Sequence, residues 1–224
     1  MRHIKILLIF LLAFYLIGCE PWHKTTNVNF MNLQQPKEPV TVKKKFPYDA
    51  VVLVNEEASN TATQYGPDVI HHVVFPSGKI LKEALPVYFD KMFNNVQYVK
   101  QLALLPAPNS VVIQTSISNI TFREDCCLPL TLDIGVLTRF DLYDSDLIMI
   151  ALPVSADGAE HVSKPSLFAT LDEQEYAQTA YQAMLKSLQN ASPLIYDAIE
   201  NPTKGLLDAK DRINKDPSDV TAYK

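Results

Sequence analysis

The chain has 224 residues, a formal net charge of −5 and 47% hydrophobic residues, which suits one globular domain with a proper core. Its acidity argues against nucleic acid as a partner and against anionic lipid held by bulk charge. The six glycines lie far apart in the sequence, which excludes a glycine-rich phosphate-binding loop.

The N-terminus carries Arg2 and Lys5, followed by an uncharged apolar run over residues 6–17. A basic segment before a short apolar run is typical of a secretory signal peptide. A membrane-spanning helix would need about 20 apolar residues. We therefore interpret residues 1–18 as a signal peptide.

The apolar run ends at Leu16, Ile17, Gly18 and Cys19, which resemble the lipobox of bacterial lipoproteins. The resemblance implies cleavage before Cys19 and a diacylglyceryl group on its thiol, with acyl chains such as palmitate. Two or three chains give a stable anchor, since each buried methylene contributes about 0.8 kcal/mol. Glu20 stands where enteric lipoproteins retained in the inner membrane carry Asp. We therefore expect a protein anchored in the outer membrane that faces the periplasm.

Loss of the two basic residues with the signal leaves a mature chain of net charge −7. Residues 19–47 contain Pro, Asn, Gln and a run of three lysines, with little periodicity, and predict a flexible tether. The globular domain is predicted over residues 48–201. Residues 202–224 are predicted to be a polar tail, in which residues 206–213 can form a short helix.

The first half of the domain predicts a strand over residues 48–55 and an irregular segment over 56–76. A helix follows from Gly78, capped by Ser77 and kinked or restarted at Pro86. Two further strands are predicted over residues 96–104 and 110–122. The second of these, Val111 to Phe122, contains no proline and is our candidate for an exposed sheet edge.

The clearest strand covers residues 130–143, where apolar and polar residues alternate as they do on a half-buried antiparallel strand. The apolar residues predict one buried face: Leu130, Leu132, Ile134, Val136, Phe140 and Leu142. A turn at residues 144–146 leads to a partner strand over 147–156, which Asp157 and Gly158 end. Thr170 and Glu173 predict a capping box for a final helix, kinked at Pro193.

The predicted order is therefore β-α-β-β-β-β-α. Two helices that can lie on the same side of the sheet indicate an α+β two-layer sandwich. We expect a mostly antiparallel β-sheet with the helices on one face.

This pattern is similar to that of small outer-membrane lipoproteins. The similarity rests on the lipobox LIGC, the helix that ends in MFNNVQYV, the long hairpin LDIGVLTRFDLYDSDLIMIALPVSADG and the Ala-rich helix EQEYAQTAYQAMLKSL. The chain thus resembles YajG-type lipoproteins, the auxiliary lipoproteins of envelope transport systems and the lipopolysaccharide-assembly lipoprotein. The resemblance implies a periplasm-facing accessory protein without catalytic chemistry of its own.

Two thiols remain besides Cys19, and they are adjacent. Cys126 and Cys127 can form a vicinal disulfide in an oxidising periplasm, form an intermolecular disulfide, or stay reduced as small buried hydrophobes. Adjacent cysteines do not suit the spacing of a zinc site. His71 and His72 should point to opposite sides of an extended chain, so we interpret them as surface or loop histidines rather than metal ligands.

No catalytic signature occurs in the sequence, and we expect neither an enzyme nor a bound cofactor or metal. The favoured hypothesis is a structural or interaction component of an envelope assembly or transport system, bound to the membrane through Cys19 and to an envelope protein through its domain. The alternative is a carrier or sensor of a lipidic or glycan ligand in a pocket between helix and sheet, beneath Pro86.

Overall fold

The computed structural model describes residues 22–29, 33–34, 40–66, 69–125, 129–165 and 170–202. The predicted signal peptide, lipobox and lipidated Cys19 lie outside these residues, as do the Cys126–Cys127 pair and the short helix at 206–213. The elements in chain order are β1 (Trp22–Asn27), β2 (Asp49–Leu53), β3 (Asn60–Tyr65), β4 (Val69–Phe75), α1 (Ser77–Met92), β5 (Val96–Val99), β6 (Ser110–Asp125), β7 (Leu130–Tyr143), β8 (Val154–Lys164) and α2 (Glu173–Glu200).

The strands form two sheets. The large sheet has the order β5-β2-β6-β7-β8 and the small sheet the order β1-β4-β3. The long pairings β6–β7 and β7–β8 are antiparallel, as is β3–β4, whereas β2 pairs in parallel with β5 and β6, and β1 with β4. Helix α2 packs on β7 and β8, and α1 packs on α2 and β6. The predicted α+β sandwich is confirmed.

Strand β7 has the bounds that its alternating pattern predicts. All six apolar residues of the predicted face are buried. Thr138 is buried on the same face, where its hydroxyl donates to the carbonyl oxygen of Ala156 at 3.1 Å. The period of two thus predicted the bounds and the core-facing side of this strand.

The partner of β7 was predicted too early in the chain. Strand β8 begins at Val154, and Gly158, predicted to end it, lies mid-strand opposite Val136. The reason lies in α2. A Cβ atom on Gly158 would stand 2.2 Å from the carbonyl oxygen of Ala183 and 2.3 Å from the amide nitrogen of Ser187. Glycine is needed here for close helix–strand packing rather than for a turn.

The irregular segment predicted over residues 56–76 is wrong. It contains the hairpin of β3 and β4, in which Tyr65 pairs with Ile70 and Gly66 donates its N–H to the carbonyl oxygen of Val69 at 2.9 Å. Strand β3 is rich in threonine and polar residues, so it lacks the apolar run that marks a buried strand.

The flexible tether predicted over residues 19–47 is also wrong where the structure describes it. Strand β1 pairs in parallel with β4 through the backbone. Beyond it, Val28 and Phe46 are buried, and the Phe46 ring packs on that of Tyr196 with centroids 4.7 Å apart. Lys91 donates to the carbonyl oxygen of Val40 at 3.0 Å. The described parts of this segment therefore lie against the domain, held by the backbone pairing of β1 with β4 and by the buried side chains of Val28 and Phe46.

Helix α1 begins one residue before the predicted start, and its Ncap is Pro76 without a side-chain cap. Ser77 lies inside the first turn with its hydroxyl buried and unpaired, so the predicted Ser77 cap is wrong. The helix continues through Pro86 to Met92 as one element. Proline is tolerated at this position because the buried face of the helix packs on the core, and this packing offsets the helical hydrogen bond that Pro86 cannot donate.

Helix α2 has a capping box two residues later than predicted. The Asp172 carboxylate accepts from the Glu175 N–H at 2.9 Å, and the Glu175 carboxylate accepts from the Asp172 N–H at 3.0 Å. The helix then continues through Pro193 to Glu200. The predicted box at Thr170 and Glu173 had a suitable spacing, but the helix begins at Glu173, so the N–H groups that need a partner there are those of Asp172 and Glu175.

The proposed edge strand, Val111 to Phe122, is not an edge. Strand β6 pairs with β2 on one side and with β7 on the other. Past the end of β2, the same side of β6 is covered by β3. The Gln64 side chain of β3 donates to the carbonyl oxygen of Glu124 at 2.8 Å and accepts from the Glu124 N–H at 2.6 Å. The edges of the large sheet are β5 and β8.

Candidate functional site

Strand β6 gives the domain two ends. At the Glu124 end lie the small sheet and the start of α2, because Tyr176 donates to Glu124 at 2.6 Å. At the Tyr143 end lie the close of β7 and the start of β8, since Tyr143 pairs with Val112 on β6. Val112 and Glu124 are twelve positions apart along β6. At about 3.3 Å per residue, the two ends are about 40 Å apart.

A buried polar cluster lies at the Glu124 end. His71 is only 7% exposed. Its Nδ1 atom is 3.2 Å from the Glu124 carboxylate, and its Nε2 atom is 2.9 Å from the Thr26 hydroxyl. The Tyr176 hydroxyl donates to the same Glu124 oxygen. The four side chains belong to β4, β6, β1 and α2, so the cluster connects both sheets and a helix.

Burial fixes the charge state of this cluster. Desolvation lowers the pKa of His71, and Lys24 lowers it further, against an opposing effect of Glu124. His71 is therefore neutral at pH 7, with Nδ1–H donating to Glu124 and Nε2 accepting from Thr26. Desolvation and the adjacent Glu124 carboxylate raise the pKa of Tyr176, which keeps its hydroxyl a donor.

An open cleft of about 560 Å³ lies beside the cluster, between β1 and the first turn of α2. Its lining residues are mostly polar: Lys24, Thr26, Leu171, Asp172, Glu173, Gln174 and Tyr176. Thr26 and Tyr176 belong to both the cluster and the cleft wall. The volume falls in the range of small-ligand sites, and three of the seven lining residues are charged.

The order hydroxyl, imidazole, carboxylate in Thr26, His71 and Glu124 is that of an acyl-transfer triad. Such chemistry also requires donors that stabilise an oxyanion next to the hydroxyl. In this cleft the neighbouring wall carries the carboxylates of Asp172 and Glu173. These oppose a developing negative charge, so the arrangement suits a fixed network of hydrogen bonds better than turnover.

A second feature lies at the Tyr143 end. Residues Asp144–Ile148, here called the knuckle, form a tight turn between β7 and β8. The Asp144 carboxylate accepts from the N–H groups of Asp146 at 3.0 Å and Ile148 at 2.8 Å. Leu147 has a φ of 62°, which is rare for a residue with a side chain. Leu147 is 40% and Ile148 62% exposed at the tip.

No protein-family model and no curated protein matches this chain. Among solved structures, a Xanthomonas campestris protein of the family DUF330 is 13% identical, with a TM-score of 0.34, over 84% of this chain and 98% of that one. A minor lipoprotein from Acinetobacter baumannii is 12% identical, with a TM-score of 0.38, over 71% and 94%. A putative neuraminyllactose-binding hemagglutinin homolog from Helicobacter pylori is 13% identical, with a TM-score of 0.35, over 76% and 95%. The resemblance to YajG-type lipoproteins stays a prediction.

The histidines were only partly interpreted correctly from sequence. His71 and His72 do point to opposite faces of β4, but His71 is buried, so its interpretation as a surface or loop residue is wrong. His72 lies 3.5 Å from His23. His23 had been assigned to the flexible tether, outside the globular domain. Within the described ranges, no three metal-ligating side chains come together. The β-branched residues around His71, in VIHHVVF, were the signal that could have placed it on a strand.

The adjacent residues Glu56 and Glu57 form two separate ion pairs. Glu56 pairs with Lys82 at 2.9 Å, and Glu57 with Lys100 at 2.7 Å. Under helix α1, the Phe89 ring packs with its centroid 5.9 Å from that of Phe93 and 6.1 Å from that of Phe140. The helix–sheet pocket beneath Pro86 stays a prediction.

Proposed function

We propose that this protein is an outer-membrane lipoprotein whose periplasmic domain binds another envelope protein. The observation that supports the proposal is the knuckle, a rigid turn that displays apolar side chains to solvent. Exposed apolar residues on a fixed scaffold are typical of binding surfaces. The function is that of a structural or interaction component in an envelope assembly or transport system.

The knuckle is preformed rather than induced. Asp144 bonds Ile148 through both its side chain and its main chain, and the Asp144 N–H donates to the Ile148 carbonyl at 2.9 Å. These bonds hold Leu147 in its positive-φ conformation, which costs on the order of 1 kcal/mol or more. A surface turn without a binding role would accept glycine there without that strain.

The charges around the tip define the complementary surface. Asp144 and Asp146 flank Leu147 and Ile148, so a partner should offer an apolar pocket with a basic rim. Two apolar side chains bury enough surface to act as an anchor but not to form an interface alone. The segment that leads into β6 exposes Leu104 and Leu105, which can extend the contact.

A photo-cross-linker placed at Ile148 tests the docking proposal in the intact envelope. We expect it to capture one discrete protein, and expect the added substitution Leu147→Asp to abolish capture. The same cross-linker at Ser163, which is exposed on β8 nearer the other end, is the matched control. Identical products from both positions, or none from Ile148, would rule out the knuckle as the interface.

The anchor is tested separately. Wild-type protein should have the mass of a chain that starts at Cys19 and carries acyl groups, and the Cys19→Ala variant should remain unprocessed. Equal masses and equal partition into detergent would refute lipidation. An outer-membrane location is checked by separating the two membranes on a density gradient.

A polar ligand in the cleft is the second candidate function. It is favoured by the hydroxyl groups of Thr26 and Tyr176, which lie between the buried cluster and the open volume. The charged lining fits a glycan better than a lipid, which narrows the carrier hypothesis. Chemical-shift changes at Thr26 on titration with soluble peptidoglycan fragments, lost in Lys24→Glu, would support it; unchanged spectra would exclude this ligand.

The proposal includes the absence of turnover, which has its own test. A fluorophosphonate probe reacts with hydroxyl nucleophiles that an imidazole activates. We expect Thr26 to remain unlabelled. Labelling that disappears in His71→Gln would show a hydrolase instead.

A further inference from the structure

We propose that His23 and His72 bind a zinc ion on the outer face of the small sheet, the face opposite to the buried His71, and that the ion fastens β1 to β4. The site goes beyond the proposed function, since it depends neither on the lipid nor on the knuckle. A metal was not expected at His72 from the sequence, because the adjacent His71 points the other way. The fold instead supplies the second imidazole from β1, 49 positions earlier in the chain.

The two imidazoles are placed to share a ligand rather than to bond each other. His23 Nδ1 and His72 Nε2 are 3.5 Å apart, which is longer than the roughly 2.7–3.2 Å of ordinary N–H hydrogen bonds. The ring planes are 11° apart and the ring centroids 5.7 Å apart, so the two nitrogens lie between the rings and face each other.

The same distance selects the metal. Zinc binds imidazole nitrogen at about 2.0–2.1 Å, so two nitrogens 3.5 Å apart give an angle of about 113–122° at the ion. This is close to the tetrahedral angle of about 109° that zinc adopts in proteins. A right angle, as in square-planar or octahedral sites, would need the nitrogens at about 2.9 Å. Magnesium and calcium require oxygen ligands and do not fit.

Thr63 orients the His72 ring for this role. Its hydroxyl oxygen lies 2.9 Å from His72 Nδ1, and the two residues are opposite each other on β3 and β4. With Nδ1–H donating to Thr63, the Nε2 lone pair is free to bind a metal. Metal-binding histidines commonly donate their other N–H group in this way, which fixes both the tautomer and the ring.

The surroundings admit a cation and leave room for its other ligands. His23 is exposed and His72 is partly exposed. Lys24 lies on the opposite face of β1, where it lines the cleft with Thr26. The other residues that the strand register places on the outer face are uncharged in the part of the chain that the structure describes: Thr25, Asn27, Thr61, Thr63, Tyr65, Ile70 and Val74. Two positions of a tetrahedral ion thus stay open to water.

A bound ion would add a link between an edge strand and its neighbour. Strand β1 lies at the end of the sheet order and pairs with β4 alone among the described strands. His23 belongs to β1 and His72 to β4, so zinc would join the two strands through side chains. The unfolded chain does not hold the two imidazoles at this spacing, so zinc should favour the folded state and oppose local opening of β1.

The experiment is a calorimetric titration of the chelator-treated mature chain with Zn²⁺. Cys19→Ser, Cys126→Ser and Cys127→Ser remove the thiols, which would compete for the ion. His23→Ala and His72→Ala each remove one ligand. The matched control is His161→Ala, because His161 is exposed too and bonds Asp133 at 2.7 Å on the other sheet. Circular dichroism checks that each variant is folded, and hydrogen exchange follows the β1 amides with and without Zn²⁺.

We expect each of the two ligand variants to weaken Zn²⁺ binding by about tenfold or more, and His161→Ala to leave it unchanged. Thr63→Val should weaken binding by about tenfold and Thr63→Ser should retain it, since serine keeps the orienting hydroxyl. Zn²⁺ should slow exchange of the β1 amides in the chain with both histidines.

A chain with both histidines that binds no Zn²⁺ would overturn the site. Binding that survives His23→Ala and His72→Ala, or that is lost in His161→Ala, would place the ion elsewhere and overturn it as well. Binding at these histidines with unchanged exchange of the β1 amides would refute the fastening of β1 to β4.

Discussion

The contact of α2 with β8 at Gly158 makes a sharp prediction for stability. In Gly158→Ala the new methyl group would stand 2.2 Å from the Ala183 carbonyl oxygen and 2.3 Å from the Ser187 N–H nitrogen. Both atoms belong to the α2 backbone, so no side-chain rotation can relieve the clash. The helix must retreat by about 1 Å to restore ordinary contact distances.

That retreat has a second consequence. The Ser187 hydroxyl is buried and bonds the Ala156 carbonyl oxygen at 2.8 Å and the Thr138 hydroxyl at 2.7 Å. Overpacking a core costs about 1–3 kcal/mol, and a stretched buried hydrogen bond adds about 1 kcal/mol. Alanine also makes the unfolded chain less flexible than glycine does, which stabilises the folded state by only about 0.4–1 kcal/mol. With this gain subtracted, we expect Gly158→Ala to lower the free energy of unfolding by about 1–3.5 kcal/mol.

The assay is urea unfolding followed by circular dichroism, on the chain without its signal peptide and with Cys19→Ser. Gly135→Ala on the adjacent strand β7 is the matched control. Its methyl group would meet only the Thr121 hydroxyl, at 2.7 Å, and that side chain is exposed and free to rotate. We expect a change within about 1 kcal/mol. If Gly158→Ala cost no more than this control change, the close packing of α2 on Gly158 would be refuted.

Three further predictions use the same assay. Folding lowers the pKa of His71, so the unfolded chain binds the proton more readily than the folded one. The free energy of unfolding should therefore fall as pH drops below about 6.5. His71→Gln should flatten this pH dependence, and an unchanged slope would refute a neutral His71. Phe140→Ala should cost about 3–5 kcal/mol, against about 0.5 or less for the exposed Ser155→Ala, and equal losses would mean that the β7 register is misassigned. Gln64→Ala should cost about 1–3 kcal/mol, because it leaves the Glu124 N–H and carbonyl without their amide partner; a neutral result would show that water replaces it.

The predictions succeeded where hydrophobic burial alone decides the structure. Strand β7 faces the core with every second residue, so its bounds and face followed from a period of two. Helix α2 buries apolar residues at helical spacing in the same way, including Tyr176, Met184 and Leu188. In both cases, the spacing of apolar residues along a single element is sufficient to predict which face is buried.

The predictions failed where an element is held by polar or main-chain contacts with distant residues. Strand β3 fits the fold because Gln64 bonds the backbone of Glu124, 60 positions further along the chain. Strand β1 fits because β4 accepts it in parallel, and β4 was not predicted. Gly158 resembled a turn residue until α2 was placed on it. Each of these depends on a contact with residues far away in the sequence, which a short stretch of sequence cannot show.

The cluster at the Glu124 end was missed for the same reason. Thr26 had been assigned to the tether and His71 to a loop, so neither was available to meet Glu124 and Tyr176. The knuckle was predicted only in part: residues 144–146 were placed in a turn, but Leu147 and Ile148 were assigned to the following strand. The positive φ of Leu147 accompanies bonds between Asp144 and Ile148 that the residue types do not predict.

The side-chain bonds between β3 and β6 determine how the domain would respond to mechanical load. A pull between the lipid anchor and a partner on the knuckle would run from β1 through β4 and β3 into β6. Strands β1, β4 and β3 are joined by continuous backbone ladders that are loaded in shear. The step from β3 to β6 is bridged by the amides of Gln64 and Asn60. Under tension this seam would yield before either sheet, so the small sheet would part from the large one as a unit while the β6–β7–β8 ladder stayed intact.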